Sequence, residues 1–464
     1  MSIEVSKMIS KSPLALALAA VLMASGCTTA PTNTSAPAAP PTASASPAAP
    51  AANASPTPNN SAANAANLPV TLPVLDAMFA DDSFAGELKS KLKLTDEQVE
   101  SLRKVAGEER AGLDEAGGQS GSTPAATRRA SEKIQTVIGA EKAAAFNSFV
   151  SERWAGGAGA LPTQPNNVPD DTRVVVNAPA YRMDVFQSGK LVKTYKVGIG
   201  YPEFPLPQGL RKADTIIFNP TWTPPDSPWV KGKFEPGKKV EAGSKDNPLG
   251  PIKIPIGLPS LIHGGKAPAK LGGFASHGCV GLTNPQVQDF ALVFASLGGA
   301  QLTPEDVANY AKNREETKQV KLGSSVPVEL RYETIVVEDG RLHIYRDVYD
   351  KGTNTEENLR RVLEVYGVKL EDLSEQERAQ LTQALQAMAR DAHGNPADGQ
   401  PDAAASPTPG KEKKEKDVRE TKTIKGEKEI VIDVAALRGK GYPAPVNLNT
   451  GGAPQPKQPA KKKA

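Results

Sequence analysis

The stretch Leu261-Ile-His-Gly-Gly-Lys-Ala-Pro-Ala-Lys-Leu-Gly-Gly-Phe-Ala-Ser-His-Gly-Cys-Val-Gly-Leu282 holds two of the four histidines and one of the two cysteines of a 464-residue chain. Cys279 follows His277 and Gly278, and His263 stands upstream across a loop rich in Gly and Ala. A thiol attacks as its thiolate, and an imidazole within reach supplies the base. Glycines let a backbone come close to a ligand. The stretch is therefore expected to be an active site built on a cysteine nucleophile. Either histidine qualifies as the base. In an extended chain His277 and Cys279 share a face, whereas a tight turn separates them. His263 ends an apolar run, and its loop is short enough to return over the thiol. The successive amides of Gly278 and Cys279 are placed to face a developing oxyanion. A lone cysteine is often a small buried hydrophobe, but His, Gly and Ser flanks in a non-hydrophobic loop argue against that role. A zinc site from His263, His277 and Cys279 is disfavoured by the His-x-Cys spacing and the lack of a carboxylate partner, so no metal is expected.

The hydrophobic pattern on both sides of this stretch has strand character. Val174–Val176 makes a first strand, and residues 181–186 alternate before Ser188-Gly189 turns into 191–199. Further short apolar runs at 215–218, 252–256 and 261–263 are separated by Pro/Gly-rich loops, which predicts a mainly antiparallel β domain. Helices are expected at 284–297 and 304–313, strands at 326–332 and 342–345, then helices at 356–366 and 374–389. Upstream, 69–156 has helical spacing, with Thr95 and Gln98 in the pattern of a reciprocal helix cap.

Composition bounds the rest. The chain has 41 Pro and 40 Gly with 5% aromatics, so much of its length is linker rather than core. A net charge of +3 does not argue for nucleic acid, and none is expected as a partner. With one cysteine at each of two unrelated places, no disulfide framework is expected. Lys7, Lys11 and the apolar run 14–23, ending Ala24-Ser25-Gly26-Cys27, have the layout of an export signal. Residues 28–68 are almost entirely Ala, Pro, Ser, Thr and Asn, a composition that cannot bury a core and is expected to be a disordered tether. From 411 onward fourteen Lys/Arg face seven Asp/Glu, so 394–464 is expected as a low-complexity basic tail that an anionic wall polymer or membrane would attract. One strand within it is expected at 429–434.

Ser276-His277-Gly278-Cys279-Val280, preceded by Ile262-His263-Gly264, resembles the signature of the L,D-transpeptidase (YkuD-type) catalytic domain. Asn219-Pro220-Thr221-Trp222-Thr223-Pro224-Pro225, Asn247-Pro248-Leu249-Gly250, residues 326–334 and Asp347-Val348-Tyr349 resemble further segments of the larger periplasmic branch of that family, in the same order. The resemblance implies a YkuD-like β-sandwich with short helices over 170–352, beside a small all-α module at 69–156 and a helical extension at 353–393. It implies Cys279 as nucleophile and His263 as proton donor and acceptor, oriented by the Gly264 carbonyl. His277 is then a supporting residue, Gly278 an oxyanion amide, and Ser276 and Trp222 substrate-binding. The implied reaction forms an acyl-enzyme on a peptidoglycan stem peptide and passes it to an acceptor amine, with no cofactor. Water as acceptor would instead give a carboxypeptidase or amidase, and a non-catalytic wall-binding lipoprotein is a third possibility. The N-terminus resembles a bacterial lipoprotein signal over 1–27, which implies lipidation at Cys27 and a periplasmic, membrane-anchored enzyme. Two departures from the family stand out. Gly281 replaces the usual Arg, with Lys266 and Lys270 expected as solvated loop residues. The compact loop between His263 and Ser276 leaves little room for a lid, so an open cleft is expected.

Overall fold

The computed structural model describes residues 68–115, 123–225, 229–230, 232–257, 260–396 and 420–451. The export signal with Cys27, the tether up to 67, and residues 397–419 and 452–464 lie outside them. Among the described residues no helix is long and apolar enough to cross a membrane.

The β domain begins with β1 (Arg173–Asn177), β2 (Arg182–Gln187), β3 (Lys190–Lys196), β4 (Ile199–Gly200) and β5 (Gly209–Phe218). It continues with β6 (Ile252–Pro255), β7 (Leu261–His263), β8 (Phe274–Ser276), β9 (Val280–Gly281) and β10 (Lys318–Arg331). Eight of these form one sheet in the order β3-β2-β1-β10-β5-β6-β7-β9, and β4 pairs with β8. Most pairs are antiparallel as expected; β1/β10, β7/β9 and β4/β8 run parallel. An exchange of backbone hydrogen bonds between Gly198 and Gly281 joins the β4 end to the edge strand β9.

Alternation in β2 predicts one wet face, but Arg182 through Phe186 are all buried. Met183 and Val185 enter the main core, while Phe186 packs with Val175, Val336, Tyr345 and Tyr442 on the other side. The polar side chains of that second face are satisfied by ion pairs. Arg182 pairs with Asp184 and Glu338, and Glu329 with Arg173 and Arg331. A charge buried without such partners would be strongly destabilising.

The module ahead of the β domain comprises α1 (Leu72–Phe79), α2 (Asp82–Leu92), α3 (Asp96–Glu115), α4 (Thr123–Ile138) and α5 (Ala140–Ala155). The reciprocal cap before α3 forms as expected, with Thr95 N–H donating to Gln98 Oε1 at 3.1 Å and Gln98 N–H to Thr95 Oγ1 at 3.2 Å. This module packs on the β domain: the Arg211 guanidinium lies 3.8 Å from the Trp154 ring centre, and Trp154 Nε1–H donates to the Gln208 carbonyl at 2.9 Å.

Helices α6 (Asn284–Leu297) and α7 (Pro304–Lys312) lie where sequence predicts them, each opened by a Thr capping box with Pro in its first turn. Beyond β10 the chain leaves the main sheet. Strands β11 (Ile335–Glu338), β12 (Arg341–Tyr345) and β13 (Glu429–Asp433) form a three-stranded sheet. Helices α8 (Glu356–Val365) and α9 (Glu375–Met388) pack on it around a separate apolar core. One sequence expectation is thereby corrected: the strand at 342–345, expected within the β domain, joins this second sheet and not the main one. The helical extension expected at 353–393 forms, and its two helices pack on that sheet.

The larger correction concerns 394–464. Residues 420–451 fold back onto the β domain instead of trailing from it. The expected strand forms as β13, and Thr194 and Lys196 of β3 donate backbone N–H groups to the Val446 and Asn449 carbonyls at 2.8 and 3.0 Å. Composition concealed this because only a few of the segment's apolar residues, Ile432, Val434, Leu437 and Tyr442, are buried, while Val431, Val446 and Leu448 stay exposed. Several of its cations are used internally: Lys440 Nζ donates to the Tyr366 carbonyl at 2.8 Å, and Lys428 Nζ to that of Gly272 at 2.5 Å. That leaves fewer of them for an anionic partner.

Gly200 is where these parts meet. A Cβ there would lie 2.1 Å from the Phe204 carbonyl oxygen and 3.1 Å from the Gly278 nitrogen. Its own carbonyl accepts from Tyr349 Oη–H at 2.9 Å, the Tyr of the Asp-Val-Tyr segment. Gly200→Ala must therefore move backbone on both sides, and a loss of about 2 kcal/mol or more is expected in urea unfolding. Gly86→Ala, on an exposed helical turn with open space at its Cβ, is expected to stabilise by about 0.5–1 kcal/mol. Equal midpoints for the two variants would disprove the close approach.

Candidate active site

His263 closes β7, and β9 lies beside it in parallel register, Ile262 opposite Val280 and His263 opposite Gly281. Side chains of paired residues in a sheet point to the same side and alternate along each strand. Extending that register by one residue places Cys279, two before Gly281, on the face that His263 occupies. Gly281, directly opposite His263, contributes no side chain of its own, and the Lys266 side chain lies over it. The imidazole is 3% exposed, and its Nδ1 lies 2.7 Å from the Gly264 carbonyl. A carbonyl only accepts, so Nδ1 carries the proton and Nε2 keeps the lone pair. Burial, with Lys266 nearby, pushes the His263 pKa down to about 3, against the opposing pull of the Gly264 and Leu249 carbonyls. At neutral pH this ring is uncharged. Leu249 arrives from the Asn247–Gly250 turn, which Asn247 closes by donating to the Pro220 carbonyl at 2.6 Å and accepting from Leu249 N–H at 3.1 Å. The loop after His263 is tied to α6, whose Asn284 Oδ1 accepts from Gly265 N–H at 2.8 Å.

Between β8 and β9 the chain bends through His277, Gly278 and Cys279. Gly278 has φ +91°, in the region that side-chain-bearing residues rarely adopt, and its carbonyl accepts from Ser260 Oγ–H at 2.7 Å. This bend separates His277 from Cys279, which resolves the choice between extended chain and turn. Ser276 holds both ends of the following peptide: its Oγ accepts from Cys279 N–H at 3.0 Å and donates to the Cys279 carbonyl at 2.6 Å. Of the two amides expected to face an oxyanion, that of Cys279 is thus engaged by Ser276. Ser276 is 3% exposed, so its place is beneath the turn, not on a substrate-facing wall. The half-buried Cys279 thiol has its pKa raised by burial, against the opposing effects of Leu261 and Lys266.

His277 turns the other way, into an aromatic cage. Trp229 stacks on it at 3.8 Å and 10° between planes, with Phe204 and Tyr201 at 4.8 and 5.1 Å in edge contacts. Trp222, expected at the substrate, stands one layer further out, 6.1 Å from Trp229 and 4.9 Å from Phe234. It does not touch either histidine. The strand exit that carries it is held by Asn219, whose Nδ2–H₂ group donates to the Tyr310 and Asn313 carbonyls at the end of α7 at 2.8 and 3.0 Å.

Three features escaped the sequence. Lys266 is not a solvated loop residue: its side chain lies over Gly281, with Cγ 2.8 Å from where a Cβ would stand, and it couples electrostatically to Cys279. Lys270 is exposed, as expected. The space that the missing Arg would enter is filled by Lys266, from a loop rather than from β9. On the His277 side, Trp229 and Glu420 of the returning segment 420–451 add contacts that the short loop does not provide. Finally, Glu420 Oε1 lies 2.8 Å from His277 Nε2, a contact across 143 residues. Nothing local marks Glu420, which ends the charge-rich stretch 411–420. Among the described residues no group of three or more His, Cys, Asp or Glu side chains is placed to hold a metal ion.

A thiol and a neutral imidazole of fixed tautomer on one face of a sheet are the parts of a cysteine-dependent acyl-transfer site. Residues 171–320 match the family model of the YkuD L,D-transpeptidase catalytic domain, and the chain carries a domain of that kind. A relative from Bacillus subtilis (strain 168), named "Putative L,D-transpeptidase YqjB", is 25% identical over 174 residues, 36% of this chain and 91% of its own length. Among solved structures, the catalytic domain of the E. faecium L,D-transpeptidase is 17% identical, with 36% of this chain and all of that one covered and a TM-score of 0.24. An L,D-transpeptidase from Mycobacterium smegmatis is 18% identical, with 34% of this chain and 58% of that one covered and a TM-score of 0.21.

Proposed function

We propose that the protein is a peptidoglycan L,D-transpeptidase that acts through an acyl-enzyme on Cys279. The observation that supports this reading is the β7/β9 register, which pairs the tautomerically fixed His263 with Gly281 and, carried one residue beyond β9, puts Cys279 on the same face. Both groups are neutral at rest, since burial raises the thiol pKa and lowers that of the imidazole. The thiol proton therefore passes to His263 Nε2 as Sγ attacks a stem-peptide carbonyl carbon. His263 returns that proton to the leaving amine nitrogen as the peptide bond breaks, and a thioester remains. An acceptor amine then attacks the thioester carbonyl, His263 takes its proton, and the departing thiolate recovers it. The Gly278 amide serves the oxyanion in each tetrahedral intermediate. Ser276 fixes the Cys279 peptide, and Lys266 supplies positive charge beside the sulfur.

The test is product analysis by mass spectrometry after incubation with disaccharide-tetrapeptides. Cross-linked dimers are the expected product. Tripeptide alone would make the enzyme a hydrolase, with water as acceptor, and no product would leave a wall-binding protein. For its location we propose lipidation at Cys27 and display on the periplasmic face of a membrane. Cys27→Ser is then expected to move the protein from the membrane fraction to the soluble one, and unchanged fractionation would refute the anchor.

A further inference from the structure

We propose that Glu420, brought back by the segment 420–451, is the positioning residue for His277. This rests on the transpeptidase reading for its catalytic consequence, and on geometry for the contact itself. Glu420 lies a hundred residues beyond the end of the matched domain at 320. Its carboxylate side chain is 11% exposed and meets an imidazole that is 20% exposed. The carboxylate pKa is held down by the hydrogen bond from His277, with burial opposing. An ionised carboxylate only accepts, so His277 Nε2 carries a proton. The ring plane is fixed independently by Trp229, stacked at 3.8 Å. One contact sets the plane and the other sets the tautomer.

The docking of Glu420 is itself anchored. The neighbouring Thr421 is buried, and its N–H and Oγ–H both donate to the Glu203 carboxylate, in the 201–206 loop that also provides Tyr201 and Phe204 to the cage. Charged groups facing the pair are Lys266 and Lys233, which disfavour a protonated His277, and Lys422, whose Nζ is 3.9 Å from Glu420 Oε2. Tyr201 and Glu203 complete the surroundings. Burial lowers the His277 pKa, and Glu420 is the group that opposes this. Because His277 is joined directly to Gly278, and through it to Cys279, a ring held in one orientation holds the turn that presents the thiol and the Gly278 amide. Carboxylates that orient a site histidine act in this way elsewhere, and their loss lowers activity on the order of tenfold or more.

The experiment compares the full chain with Glu420→Gln, Glu420→Asp and Thr421→Val. Imidazole titrations by NMR are read without substrate, and acylation of Cys279 by a carbapenem is followed by mass spectrometry. Gln keeps an accepting oxygen but removes the charge, so the His277 titration midpoint is expected to fall and acylation to slow about tenfold. Asp is expected to restore part of both, and Thr421→Val, which loosens the anchor but keeps the carboxylate, to shift the His277 midpoint clearly less than Glu420→Gln does. An unchanged midpoint in Glu420→Gln overturns the proposal. So does an equal shift in Thr421→Val, which would make the effect one of docking. If the wild type makes no peptidoglycan product while Glu420→Gln still shifts His277, the transpeptidase reading falls and the Glu420–His277 assignment stands.

Discussion

Cys279→Ala is expected to abolish both the carbapenem adduct and every acyl-transfer product, a loss of at least ~10³-fold against the parent. The variant should keep the parent's unfolding midpoint within about 0.5 kcal/mol. The side chain is half-buried, and the peptide around it is held by Ser276 through backbone groups that Ala retains. The reason for so large an effect is chemical. In the proposed mechanism the sulfur is the atom to which the acyl group becomes bonded, and alanine offers no atom in its place. Residual Cys279-independent cross-linking would show that the thiol is not the nucleophile.

His263→Ala is expected to slow acylation of Cys279 by roughly 10²–10⁴-fold, the usual worth of a general base. The pH dependence separates this role from that of an ion-pair partner. A preformed thiolate–imidazolium pair, which the proximity of Cys and His suggests at first, would make alkylation by iodoacetamide fast and flat from acid to neutral pH. Here the imidazole pKa is depressed to about 3 and the thiol pKa is raised above its ordinary range, both chiefly by burial. The wild-type alkylation rate is therefore expected to climb with pH through and beyond the normal thiol range, with no acid plateau. A plateau below pH 7 would contradict the neutral pair. The same shift affects folding. An unfolded chain takes up a proton on this imidazole near its ordinary pKa, whereas the folded protein does so only near 3. Stability contributed by the neutral buried ring is thus present above the ordinary value and is lost as pH falls from there toward about 3.

Lys266 and Gly281 show why a departure from a motif is hard to interpret in one dimension. A missing Arg two residues after the cysteine suggests a missing charge. Instead the loop after His263 carries Lys266 into the place where a side chain at 281 would have started, so positive charge reaches the thiol by another path. The loop is short, and Lys266 is pinned by its N–H donating to the Leu282 carbonyl at 3.0 Å. Neither fact follows from the spacing of the two residues alone.

What the sequence determined by itself is local. Helix caps at Thr95 and Ser374, the short strands and the His-Gly and Ser-His-Gly-Cys elements were legible, because each is set by a few adjacent residues and their backbone preferences. The residues alone leave both histidines open and the family resemblance favours His263; the tertiary structure adds the parallel register of β7 and β9, which sets His263 opposite Gly281, a pairing between segments with no covalent reason to align. It also decided the fate of residues 420–451. Their apolar residues are too few to announce a core, and they are ordered by surfaces offered elsewhere: the β12 edge, the β3 edge, Glu203 and the buried imidazole of His277. Composition measures what a segment can bury by itself. It does not measure what another part of the chain leaves uncovered for it.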